Sequence, residues 1–217
     1  METTNSTDAT PEDQRSVTPP PATELIPGRD YLRSIKGYLI IITTLFFISI
    51  AVGYSVGASM GEPASEGTIE QLRQILGWIV DLPPISMALF IFANNAIKCL
   101  LIIPLGAVLG LVPLLFILVN GAMLGLIAFG VEGTKGVAFV LASLLPHGVL
   151  EIPALLMSSA IGLRMGYAGF RRLRGLGSLR QELGKGLKVY VRWMLPVLFL
   201  AAIVETFVTP AVASLFS

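Results

Sequence analysis

The chain has 217 residues, of which 54% are hydrophobic and only 13% charged, with a net charge of +1. Soluble domains carry about 25% charged residues, so this composition excludes a freely soluble enzyme, a secreted domain and a nucleic-acid module. Two uncharged runs are also too long for a soluble core: 25 residues from Gly37 to Gly61 and 33 from Cys99 to Val131. Runs of about 18 or more such residues read as membrane spans. The expected fold class is all-α: a polytopic transmembrane helical bundle of about five spans.

Residues 1 to 28 are rich in Thr, Ser, Pro and acids and carry a net charge of −4, with prolines at 19, 20 and 21. Such a segment cannot bury enough apolar surface to fold and reads as a disordered acidic tail. The transmembrane domain then covers residues 29 to 217. Arg33 and Lys36 lead into span 1, over about 37 to 56, flanked by Tyr31, Tyr38 and Tyr54 at interfacial depth. The linker 58 to 84 has a net charge of −3. Within it Ile69, Leu72, Ile75, Leu76 and Ile79 recur at helical spacing, which predicts an amphipathic surface helix over 65 to 80.

Span 2 is expected over 85 to 105 and carries Asn94, Asn95 and Lys98. Span 3, over 112 to 129, carries Asn120 and Gly121. The spacing of Gly106 to Gly110 and of Gly121 to Gly125 suits close helix contact, because small residues let backbones approach where lipid supplies no hydrophobic drive. Span 4, over 137 to 163, holds Pro146, His147, Gly148, Glu151 and Pro153. His147 and Glu151 share a face if the helix is continuous, and the two prolines predict a kinked or broken span.

Asn94, Asn95, Lys98, Asn120, His147 and Glu151 are the candidate polar centre. A carboxylate in hydrocarbon neutralises or finds a partner, and Lys98 is the expected partner of Glu151. The centre has two readings: a satisfied network that fixes which helices meet, or a path or binding site. Catalysis is not expected. His147 is the sole histidine, a water-activating zinc site takes about three protein ligands, and no serine stands at a nucleophile's spacing. Gly162, Gly166 and Gly169 lack the strand and the Lys-Ser/Thr ending of a phosphate loop. No cofactor or metal is expected.

Arg164 to Arg192 carries a net charge of +7, including Arg171, Arg172, Arg174, Arg180, Lys185 and Lys188. Short basic loops stay cytoplasmic and meet anionic headgroups. Span 5, over 191 to 208, encloses Pro196 and, near its far end, Glu205, which either closes the bundle or faces the exterior. The resulting cell-membrane topology has a cytoplasmic N-terminus and an extracytoplasmic C-terminus. Expected partners are anionic membrane lipids and other membrane or envelope proteins, with a homodimer as one form and no nucleic acid.

Four segments carry a family resemblance. They are Asn94-Asn95, Asn120-Gly121-x-x-x-Gly125, Leu145-Pro146-His147-Gly148-x-x-Glu151-Ile152-Pro153, and Glu205-x-Phe207-Val208-Thr209-Pro210. Together they resemble the stage II sporulation protein M family, over about residues 30 to 212. The resemblance implies an integral membrane protein of about five spans, with Asn120, His147, Gly148, Glu151 and Pro153 as core or interaction residues. The family's founding member is a membrane scaffold for the cell-wall-remodelling machinery of engulfment. The role this implies is a noncatalytic scaffold or complex component; the alternative is a small transporter or permease subunit that uses the polar centre of spans 2 to 4.

Overall fold

A computed structural model describes residues 29–60, 77–79, 81–175 and 178–216, with isolated positions between 67 and 74. The side chains of Thr134 and His147 lie outside the described residues. So do the acidic tail and most of the predicted surface helix, of which Gly77–Ile79 form a 3-10 turn.

The described chain is helical. Helix α1 covers Arg29–Met60, α2 Pro84–Leu105 and α3 Leu111–Leu173. Three shorter helices follow: α4 (Leu179–Val189), α5 (Leu195–Ile203) and α6 (Thr209–Ala213). Pro84 opens α2 at its first turn, where the missing N–H has no intrahelical acceptor to satisfy. Five stretches are long and apolar enough to cross a bilayer: Tyr31–Met60, Pro84–Leu105, Leu111–Gly133, Gly148–Leu173 and Leu179–Ala213. The chain is therefore a multi-pass helical membrane protein.

Helix α3 is a hairpin. Its one non-helical residue is Gly136, at φ 81° and ψ 163°, a conformation that a Cβ would oppose. Beyond it the chain returns antiparallel. Gly162 comes back beside Pro113, and Gly148, Glu151 and Ile152 come back beside Asn120 and Leu124. The backbone departs from helix at this turn and stays helical through Pro146 and Pro153. Proline inside a span is tolerated when neighbouring helices and local adjustments take up the freed carbonyl.

The last span is longer than the expected 191 to 208. A π-helical turn at Tyr190–Met194 joins α4 to α5, and a second at Val204–Val208 joins α5 to α6. Their wide bonds run from Leu195 N–H to the Tyr190 carbonyl and from Thr209 N–H to the Val204 carbonyl. In both cases a proline, Pro196 or Pro210, is the next residue. A proline withholds an N–H and pushes its ring against the preceding turn, and a π turn absorbs that disturbance without ending the helix.

The returning leg of α3 is the hub of the bundle. Half of an 18-residue apolar stretch within Gly148–Leu173 is buried (50%), against 22% for the corresponding stretch of each other span. Ala160, Ile161 and Met165 on it meet Ile35, Ile42 and Phe46 of α1, Cys99 and Ile103 of α2, and Met194 and Leu198 of the last span. Large apolar side chains such as Ile40, Phe47, Ile85, Val149 and Phe199 face outward. In water that surface would drive aggregation; in a bilayer it faces its own solvent.

Candidate functional site

Two close-packed seams hold the polar centre in place. On the first, α1 runs along the ascending leg of α3. A Cβ on Gly53 would overlap the Ala122 carbonyl, one on Gly125 the Ile50 carbonyl, and one on Gly121 the Ser49 hydroxyl. The Ser49 Oγ–H is already directed to the Phe46 carbonyl at 2.8 Å. On the second seam the connection between α2 and α3 lies against the returning leg. Gly106 touches Gly162 and Gly110 touches Gly166, with backbone against backbone. The connection turns through Leu109 and Gly110, at φ 51° and 73°. Spacing of small residues thus becomes contact between main chains, the geometry that gives helices in lipid their dispersion attraction.

Beside the first seam lies a cavity of about 130 Å³, lined by Phe46, Asn120, Leu124, Leu144, Gly148, Glu151, Ile152 and Leu155. Asn120 and Glu151 are half-buried at its wall, and Gly148 is buried. Asn120 donates from Nδ2 to the Phe116 carbonyl one turn back, at 2.7 Å, which fixes the amide and leaves its carbonyl oxygen as the remaining acceptor. Pro146 is half-buried and Pro153 exposed on the same leg. Of the other predicted polar residues, Asn94 and Asn95 are half-buried on α2, with Nδ2 of the first 3.4 Å from Oδ1 of the second. Lys98 is exposed on the protomer surface. Glu205 is half-buried in the second π turn, beside the buried Thr206. It stands apart from the residues that line the cavity. Among the described residues, no group of three or more His, Cys, Asp or Glu side chains gathers as a metal set would.

The basic segment divides in two. Arg171, Arg172, Arg174, Arg180, Lys185 and Lys188 are exposed, and the Arg174 guanidinium sits 4.4 Å above the Phe170 ring. Arg164 does something different, which the charge count concealed. It pairs with Glu182 of α4, donates to Ser34 Oγ of α1, and lies 4.9 Å above the Tyr31 ring. Ser34 donates in turn to the Tyr31 carbonyl at 2.5 Å. One guanidinium therefore ties together α1, α3 and α4. The sequence signal was slight: Glu182 is the single acid in a run of eight cations, and Tyr31 and Ser34 stand at the matching end of span 1. Two further cross-links were not foreseen. The Tyr190 hydroxyl donates to the Ala96 carbonyl at 2.9 Å, and the Ser158 hydroxyl to the Met194 sulfur at 3.2 Å.

A bundle of apolar helices around a small polar centre, basic at one end, defines the class as a polytopic helical membrane protein. The chain belongs to the family described as SpoIIM, Stage II sporulation protein M, whose family model matches residues 42–210. No curated protein and no solved structure matches it.

Proposed function

We propose that this protein is a noncatalytic integral membrane scaffold, a component of a membrane protein complex. The carrying observation is the size and setting of the polar centre. Small-molecule sites occupy roughly 300 to 1,000 Å³, whereas the cavity at Asn120 and Glu151 holds about 130 Å³. Beside it, α1 and the ascending leg of α3 meet at tight glycine contacts. Alternating access needs helices that rock past one another, and seams of this kind resist that motion. A polar centre of this size can instead fix which helices meet, an interhelical polar contact contributing about 0.6 to 2 kcal/mol.

In this reading the basic end, with the N-terminus, lies in the cytoplasm, and the C-terminus lies outside, as the bias of Lys and Arg requires. The outward apolar faces are free to meet lipid, envelope proteins or a second copy. The test is purification of the tagged full-length chain in a mild detergent after cross-linking in the membrane. Stoichiometric recovery of a membrane or envelope protein, such as a wall hydrolase, supports the scaffold. Recovery of a nucleotide-binding subunit, with solute flux in proteoliposomes that Glu151→Gln abolishes, establishes the second reading, a permease subunit. That reading is favoured by one observation, the half-buried carboxylate at the cavity wall.

A further inference from the structure

The last span carries a feature that neither the helix packing nor the polar centre uses. Lys185, Lys188 and Arg192 are spaced by three and four residues, so they form one ladder along a helix face, about 10 Å from first to last. All three are exposed, while the neighbouring Gly186 and Val189 are buried against the bundle. None of the three has an ion-pair partner among the described residues. The one acid between residues 161 and 204 is Glu182, and Arg164 already neutralises it. Among the described residues, the ladder is unopposed positive charge.

Its height and direction matter equally. Gly186 packs against Ile103 and Ile161, three residues from the turn at which α2 ends. The ladder therefore starts where the apolar spans stop and descends into the bilayer. The helix runs from the basic end inward, so its Cα–Cβ bonds tilt back toward that end. Lys188 and Arg192 can consequently bury their stems and raise their charges to the interface. Beneath them Trp193 is 61% exposed, and Phe199 and Leu200 continue an exposed apolar strip.

We propose that this face binds an anionic diacyl phospholipid. Lys185, Lys188 and Arg192 hold the phosphate, and the acyl chains lie along Trp193, Phe199 and Leu200. Charge complementarity selects an anionic head, and the apolar strip selects a lipid over a free anion. Each cation near a charged surface contributes roughly fivefold to binding, so three of them clearly distinguish an anionic from a zwitterionic lipid.

The chain has two tryptophans, so Trp78→Phe leaves Trp193 as the only tryptophan fluorophore. The full-length variant is placed in nanodiscs of phosphatidylcholine that contain either brominated phosphatidylglycerol or brominated phosphatidylcholine at equal mole fraction. The expected result is about twofold or greater excess quenching by the anionic lipid, lost when Lys185→Gln, Lys188→Gln and Arg192→Gln are combined. Quenching by brominated phosphatidylcholine should be unchanged in that variant, which shows Trp193 still seated in the membrane. Equal quenching by the two lipids overturns the proposal. So does an excess that survives the triple substitution, or one that inorganic phosphate abolishes at constant ionic strength. None of these outcomes depends on the scaffold reading.

Discussion

Arg164 shows how one side chain changes meaning between a charge count and a contact. In the sequence it is one cation among eight. In the fold it is 21% exposed and its partner Glu182 13% exposed. Removing one member of a well-buried pair costs about 3 to 5 kcal/mol, and partial solvent access lowers that. Arg164→Gln is therefore expected to destabilise the protein by about 2 kcal/mol, read as a lower midpoint in thermal aggregation of the detergent-solubilised protein. Combining Arg164→Met with Glu182→Met should recover most of the loss, because no charge is then left unpaired. A double variant as unstable as Arg164→Gln would mean that the Tyr31 and Ser34 contacts, not the ion pair, hold α1 in place. The same scale decides the seams: Gly125→Leu drives a side chain into the Ile50 carbonyl and should cost about 3 kcal/mol, whereas Gly37→Leu, with open space around it, should leave the midpoint unchanged.

At the scale of elements, hydropathy located helices where charge and length agree, and it failed where a helix keeps going for other reasons. Span 2 could be read at 85 to 105 because Pro83 and Pro84 mark its start, and the helix is Pro84–Leu105. The last helix begins at Leu179, well before the expected 191, because its first turns are amphipathic and their cations dilute the apolar signal. Pro196 lies inside the expected span and Pro210 just beyond its expected end, and each follows a π turn that carries the helix past it. A π turn holds one residue more than an α turn over nearly the same rise, which makes the reading testable by deletion. Removing Val191, exposed within the first π turn, should convert it to regular helix and keep the buried Leu198 and Ala201 facing inward. Removing Leu200, exposed within α5, should rotate everything beyond it by about 100° and turn Ala201, Ala202 and Thr206 out of the bundle. On gel filtration the first variant should stay monodisperse and the second aggregate. The reverse order would show that the wide turns do not set the register.

At the scale of the molecule, the candidate site was legible in its residue types and not in their grouping. Asn120, Gly148 and Glu151 come together because α3 folds back on itself at Gly136, and nothing in the periodicity of either leg states the depth at which they meet. Lys98 is also a polar residue within a span, but its helix face is exposed; hydropathy reports a residue's surroundings along the chain and not the side of the helix on which it falls. Topology is a different kind of inference, since it follows from the number of crossings. If all five candidate spans cross, the two ends of the chain fall on opposite sides, and the basic α3–α4 connection should lie on the cytoplasmic side, opposite the C-terminus. Cys99, the only cysteine, is 1% exposed, so it contributes little background to thiol labelling. A membrane-impermeant maleimide added to intact cells should label Phe216→Cys at once and Arg172→Cys only after permeabilisation. Labelling of both in intact cells would mean that a span fails to cross. Labelling of Arg172→Cys alone would invert the protein, leaving its most basic connection outside and the unpartnered ladder of the last helix facing the wrong leaflet.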